Sequence, residues 1–284
     1  MLFCDTLITE ICTRSKMRKI NKWINYNLTH RSCDKMEHLY IFPDIELRVK
    51  DAIKFFWSAR DGQIKRQAVG EAHDQGNRGA VTGGKQLDGF IELIRQILIA
   101  NEVNDNHIFC NKNLELPGFY RPNKKWDLLV IENEQLVLAV ELKSQVGPSF
   151  GNNFNNRIEE AIGSALDIWT AYREGVFKNS NPWLGYLMLL EDSTESSTPI
   201  AIRSPHFEVK PEFKYSSYIK RYELFCNKLV LERQYNAACF ITSKRDQGDI
   251  GAHAFPCDRL SFKTFITSML AAVLAHRVAK GDEK

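Results

Sequence analysis

The spacing of apolar residues changes along this chain, and each change marks an element. Phe90, Leu93, Ile94, Ile97 and Leu98 recur every three to four positions, which predicts a helix over 88–100 with Asp88 as its N-cap. The segments WDLLVIE and QLVLAVELK then run almost unbroken in apolar residues, with only Asn133 and Glu134 between them. Two residues are enough for a hairpin turn, and strands apolar on both faces belong in the middle of a covered sheet. A Gly/Asn-rich loop, GPSFGNNFNN, leads to a helix expected over 156–174 with the stripe Ile158, Ile162, Ala165, Leu166 and Trp169. LGYLMLLE reads as a further buried strand. A Ser/Thr/Pro-rich excursion at 192–215, a helix near 217–235, the strand AACFITS and a helix near 259–277 complete the chain. Leu47, Ile53, Phe56 and Trp57 suggest one more amphipathic helix after residue 45.

Helices alternating with strands around a central hairpin predict an α/β domain of the mixed α+β kind, a central mixed sheet flanked by helices. Residues 46–284 read as one domain, and 1–45 as a basic N-terminal extension within which Met36 offers an alternative start. The chain has 284 residues and 44% hydrophobic positions, enough for a sizeable core. Its net charge of +3 permits a polyanionic partner without demanding one. No window of 18 apolar residues exists, which argues against a membrane helix. Seven widely spaced cysteines without a CxxC suit a reducing cytoplasm better than a disulfide framework.

Two charges interrupt the end of an otherwise apolar strand: Glu141 and Lys143 in VLAVELK. Residues two apart share a strand face, and buried charge needs a partner. The preceding strand offers Asp127 near its start. If the hairpin register sets Asp127 across from Glu141, or one diagonal away, all three groups converge; a slip of one residue sends Asp127 to the other face. Two carboxylates and a lysine make a hard-oxygen site for Mg²⁺, with an ammonium to orient or deprotonate a water. A cross-strand ion pair would use the same residues. The spacing also occurs at Asp192, Glu208 and Lys210, but prolines bracket that triplet and no hairpin joins it.

W-Asp127-LLV followed by AV-Glu141-L-Lys143-S-Gln145 resembles the active-site hairpin of the PD-(D/E)xK nuclease superfamily. The helices before and after it match that superfamily's α-β-β-β-α-β core. ELKSQVGPSFGNNFNNRIEEAIGSALD is similar to the XhoI-type family of type II restriction endonucleases. The resemblance spans about 70–260 and is most specific at 126–170; Trp126 stands where the motif has proline, which removes no ligand. It implies Mg²⁺-dependent double-strand cleavage of DNA within CTCGAG, leaving 5′-phosphates. It also implies a homodimer matched to a palindromic site, and a cognate DNA methyltransferase as a partner in the system. Asp127, Glu141 and the Leu142 carbonyl would bind the metal, and Lys143 would assist the attacking water.

Other residues carry two readings each. Glu92 could complete the metal site from its helix, or be a solvated helix acid. Gln145 continues the face of Glu141 and Lys143, where its amide could hold a water or a phosphate, or simply end the strand. Asn152, Asn153, Asn155, Asn156 and Arg157 could read bases, or form an Asn-rich helix cap. Arg121, Lys124 and Lys125 suit phosphate contacts, or a solvated basic turn. GAVTGGKQ approximates a nucleotide-binding loop, but Gln86 replaces the hydroxyl residue that Mg²⁺ requires. Lys85 then serves better as a phosphate contact. The stripes at 47–57 and 259–277 are candidate dimer faces, or core. The rival functions are a structure-specific repair or recombination nuclease of the same superfamily and a DNA-binding module without catalysis.

Overall fold

The computed structural model describes residues 39–69, 84–178 and 181–281. The loop 70–83, the basic stretch before residue 39 and the side chain of Lys85 lie outside the described residues. The described body belongs to a compact unit that starts at Leu39. A long helix, α1 (Ile45–Val69), and a 3₁₀ turn at Gly84–Leu87 lead into α2 (Asp88–Ala100). The periodicity locates α2 correctly, but Leu87 and not Asp88 is its N-cap, and Asp88 is an acid of the first turn.

Seven strands follow: β1 (Ile108–Phe109), β2 (Glu115–Pro117), β3 (Asn123–Lys125), β4 (Leu128–Glu132), β5 (Gln135–Gln145), β6 (Trp183–Glu191) and β7 (Ala237–Ser243). Five form a mixed sheet in the order β1-β4-β5-β6-β7, while β2 and β3 pair as a separate hairpin. β1-β4-β5 is antiparallel and β5-β6-β7 parallel, so β5 is where the two halves of the sheet meet. Between β5 and β6 runs α3 (Phe150–Arg173); after β6 come the short α4 (Thr194–Ser197) and α5 (Tyr218–Leu231); α6 (Phe262–Gly281) ends the chain.

Two apolar layers cover the sheet. Leu128, Val130, Leu138, Val140 and Leu142 pack with α1, α2 and α6, while Leu129, Ala139, Tyr186 and Met188 pack with α3 and α5. The α6 stripe is core, since Phe262, Phe265, Ile266, Met269 and Leu270 are all buried. This removes 259–277 as a candidate dimer face. On α1, Ile53, Phe56 and Trp57 are buried, but Leu47 and Phe55 stay exposed. Gly185 makes the α6 contact possible, because a Cβ there would meet the Trp183 and Phe265 rings within 2.5–2.8 Å.

α3 begins six residues earlier than its periodicity suggests. Asparagine is a weak helix former. Phe150 and Phe154, one turn apart and buried against Tyr218 and Tyr222, hold the first turns in place through tertiary packing. Asn152, Asn153, Asn155 and Asn156 are therefore helical, not loop. The buried stripe is also rotated: Ala161, Ala165, Ile168 and Ala171 face the sheet, and Ile162 and Leu166 are exposed. Small residues let the helix axis approach the strands.

The β4–β5 hairpin decides the rest. Asn133 and Glu134 both take positive φ, 49° and 63°, as a two-residue turn of the mirror-image type requires. From the turn, Glu132 faces Gln135 and Ile131 faces Leu136. The ladder then shifts between Val130 and Ile131, so that Val130 faces Leu138 and Leu128 faces Val140. Val137 is the extra residue of a β-bulge, and it lies in the same layer as its neighbour Leu138.

Candidate active site

The bulge sets the position of Asp127. Continued at the spacing near the turn, the ladder would place Asp127 across from Val140, on the face of α1, α2 and α6. After the shift Asp127 lies one step beyond the Leu128–Val140 pair, across from Glu141. Its N–H donates to the Val140 carbonyl at 3.2 Å and its Oδ2 accepts the Leu142 N–H at 2.7 Å. In an extended strand the N–H and C=O of one residue point to the same edge. Leu142 therefore turns its carbonyl to the Asp127 side as well.

Glu141 is 2% exposed. Lys143, two residues on, pairs with its Oε1 at 2.5 Å, and Lys124 pairs with its Oε2. Lys124 also donates to the Lys125 carbonyl at 3.1 Å and lies 4.4 Å above the Trp126 ring. Burial alone would raise the Glu141 carboxyl, but the two ammonium groups more than reverse this and hold it below the ordinary value. Burial would likewise lower Lys143, yet Glu141 and Asp127 outweigh it and keep the ammonium charged. Asp127 goes the other way: burial and the Glu141 charge raise its carboxyl. Tyr186, beside Glu141 in the parallel register, and Tyr235 are wholly buried and floor the site with low-dielectric material.

Asp127, Glu141 and Lys143 thus share one face of the sheet. Among the described residues no three His, Cys, Asp or Glu side chains gather to hold a metal; the oxygen donors here are two carboxylates and a backbone carbonyl. That set fits Mg²⁺, which keeps waters and usually takes one or two carboxylates plus a substrate phosphate. Both oxygens of Glu141 are paired with lysines, Oε1 with Lys143 and Oε2 with Lys124.

The other candidates separate. Glu92 is on α2, in the opposite layer, where it bonds Arg95 and Gln96; its helix packs its apolar face on the far side of the sheet. It does not complete this site. Gln145 does continue the face, but Tyr222 donates to its Oε1 and its Nε2 donates to the Phe150 carbonyl at 3.0 Å. Its amide ties the strand end to the start of α3. Arg157 pairs with Glu160 at 2.6 Å, and Asn152, Asn155 and Asn156 are exposed on the first turns of α3. Lys124 is inside the site rather than on a solvated turn, while Lys125 is exposed.

Two features carry no signal in the linear pattern. Glu160 lies close enough to add its field at Lys143. Asp167, read only as part of a helix, is nearly buried and accepts three donors: the N–H groups of Phe119 and Tyr120, both at 2.7 Å, and Arg121 Nε at 2.7 Å. Arg121 also reaches Ser164, so its guanidinium serves this clamp and not a free phosphate contact. Gly118 is required beside it, because a Cβ would lie 2.2 Å from Asp167 Oδ2. The clamp pins the tip of the β2–β3 hairpin with Phe119 and Tyr120 exposed.

The chain is similar in sequence to known proteins. The family model described as restriction endonuclease XhoI matches residues 65–255. The type II restriction enzyme BstVI of Geobacillus stearothermophilus is 51% identical over 216 residues, covering 74% of this chain and 96% of that enzyme. The type II restriction enzyme XhoI of Xanthomonas vasicola is 48% identical over 181 residues, 62% of this chain and 72% of that enzyme. The type II restriction enzyme AbrI of Azospirillum brasilense is 49% identical over 166 residues, 58% of this chain and 74% of that enzyme. No solved structure matches the chain.

The Asp167 clamp can be tested by stability. Burial would raise the Asp167 carboxyl, but Arg121 and the two backbone N–H groups hold it below 3.8. Its contribution is therefore complete above about pH 3.8 and is lost as pH falls through the lower folded-state value. Asp167→Asn is expected to cost about 2 kcal/mol in urea unfolding at neutral pH, with the gap to the parent narrowing in acid. An unchanged midpoint at neutral pH would show that the clamp contributes nothing.

Proposed function

The chain belongs to the XhoI restriction endonuclease family and so is a type II site-specific deoxyribonuclease, and we propose that it cuts both strands of duplex DNA within CTCGAG, using Mg²⁺ held at Asp127 and Glu141. The observation that carries this reading is the convergence of Asp127, Glu141 and Lys143 on one face, at the end of a buried hairpin. Residues 46–284 act as a single endonuclease domain, with 1–45 as an extension. The enzyme works in the cytoplasm, where a cognate methyltransferase protects the host sites. No helix among the described residues is long and apolar enough to cross a membrane.

Asp127, Glu141 and the Leu142 carbonyl would hold the metal. A Mg²⁺ held there would supply Lewis acidity, polarising the scissile phosphate and making a nearby water easier to deprotonate. Lys143, kept charged by Glu141, orients that water and stabilises charge growing on the phosphate. Attack in line leaves a 5′-phosphate and a 3′-hydroxyl. Asp127→Asn and Lys143→Ala are each expected to lower single-turnover cleavage by about three orders of magnitude or more, with duplex binding retained. Parent-like cleavage by either variant would refute the assignment.

DNA contacts belong to the side of the sheet that carries the triad. Asn152, Asn155, Asn156 and Arg157 stand on the first turns of α3, directly after β5, where helix N–H groups favour a phosphate and short side chains can reach base edges. Lys125 and Lys85, at the end of the glycine-rich loop, supply phosphate contacts. Arg157→Ala is expected to cost about 1–3 kcal/mol on the cognate duplex and much less on random DNA. An equal loss on both, measured by fluorescence anisotropy, would make Arg157 a phosphate contact only.

The active species is a homodimer, because a palindromic site is matched by a two-fold protein and one centre cuts one strand. Sedimentation with and without a CTCGAG duplex is expected to show two chains per duplex. A monomer in both, nicking one strand per encounter, would exclude it.

A further inference from the structure

Lys124 is the unusual member of the site. Exposed lysines rarely hold one geometry, but this side chain is 12% exposed and has three partners. Its ammonium meets Glu141 Oε2 and the Lys125 carbonyl, and lies over the Trp126 ring. Lys143 holds the other oxygen of Glu141. Both oxygens of the one fully buried carboxylate at the site are therefore already engaged by cations.

The charge count explains why. Asp127 and Glu141 carry two negative charges, Lys124 and Lys143 two positive ones, so the cluster is neutral. Arg157 and Glu160 pair with each other on the adjacent helix and leave that balance as it is. A divalent cation entering this low-dielectric cluster would make it doubly positive and would have to share Glu141 Oε2 with an ammonium group. Such an arrangement is unfavourable until a cation leaves or an anion arrives. A scissile phosphate does both at once: it brings negative charge and offers the Lys124 ammonium another partner. Lys124 is rooted on β3, next to the exposed Lys125 on the hairpin that borders the site, so its flexible four-carbon stem can turn outward without moving the backbone.

We propose that Lys124 is a resident counter-ion of the metal centre: it occupies Glu141 in the free protein and passes to a DNA phosphate when duplex binds, so that metal affinity rises only on DNA. This rests on the metal-centre reading above and adds to it an ordering, DNA before metal, which keeps the free enzyme from holding its cofactor ready for unintended cleavage. Lys124 is a positioning residue here, acting through Glu141, and its removal separates metal affinity from turnover.

The test is metal binding without catalysis. Tb³⁺ serves as the probe, its luminescence sensitised by tryptophan, with Mg²⁺ calorimetry in parallel on the full chain. In the absence of DNA, Lys124→Met and Lys124→Gln are expected to bind Tb³⁺ about tenfold or more tightly than the parent, because one competing positive charge is gone. Lys124→Arg, which keeps the charge, should behave as the parent. Adding a CTCGAG duplex should tighten Tb³⁺ binding strongly in the parent and little in the Met and Gln variants, although these cleave more slowly with Mg²⁺. Met and Gln variants that are folded by circular dichroism yet bind Tb³⁺ no more tightly than the parent would overturn the proposal. Asp127→Asn distinguishes the two levels: if it leaves Tb³⁺ binding unchanged, or if no variant binds metal with or without DNA, the metal-centre reading itself fails and the role of Lys124 falls with it.

Discussion

Between Val130 and Ile131 the β4–β5 ladder slips by one residue, and Val137 is left without a partner of its own. Side chains alternate across a strand with period two, so this single shift changes which face of β4 looks at which face of β5. Before it, Asp127 would lie with Val140 in an apolar layer sealed by three helices. After it, Asp127 lies with Glu141 and accepts the Leu142 N–H. Val137 and Leu138 share the opposite layer, where both are buried, so the extra residue is accommodated by hydrophobic packing. The bulge keeps a carboxylate out of the core and brings it to the one other carboxylate that can use it.

Charge at that point is compensated locally. A sheet buried on both faces tolerates Glu141 only because two ammonium groups reach it, and these lysines come from different elements: Lys143 from the same strand, Lys124 from the neighbouring hairpin. The opposed effects on the two carboxyls follow from this. Glu141, held between cations, is kept ionised, while Asp127, with a backbone N–H as its nearest donor, bears the cost of burial beside another negative charge. The two carboxylates and two ammonium groups together leave the cluster without net charge.

Around the centre the backbone is held by buried polar contacts. Gln145 fixes the end of β5 to the first turn of α3, and Asp167 fixes the β2–β3 tip to the middle of the same helix. α3 is thus the element against which both β5 and the exposed aromatic tip are registered. On the proposed reading, a rigid helix carrying DNA contacts next to the triad would link the position of DNA to that of Asp127 and Glu141.

Apolar periodicity was sufficient to locate α2, the hairpin, β6 and β7, because each buries a long continuous surface whose pattern the local chain dictates. The residues Asp127, Glu141 and Lys143 were legible too, since charge at the end of an apolar strand stands out against its neighbours. The convergence of the three was not. Depending on a one-residue shift inside a run of valines and leucines, it has no marker in a sequence where every candidate for the extra position is equally apolar. The start of α3 and its buried face were also decided in three dimensions, where Phe150 and Phe154 meet Tyr218 and Tyr222 from a distant helix and outweigh the weak helical tendency of asparagine. Glu92 looked eligible by its helix, and only the layer order of the sheet puts it on the wrong side. Lys124 and Arg121 read as one basic turn; tertiary contacts split them, one onto Glu141 and the other onto Asp167, because a charge takes its partner from whatever the fold brings within reach.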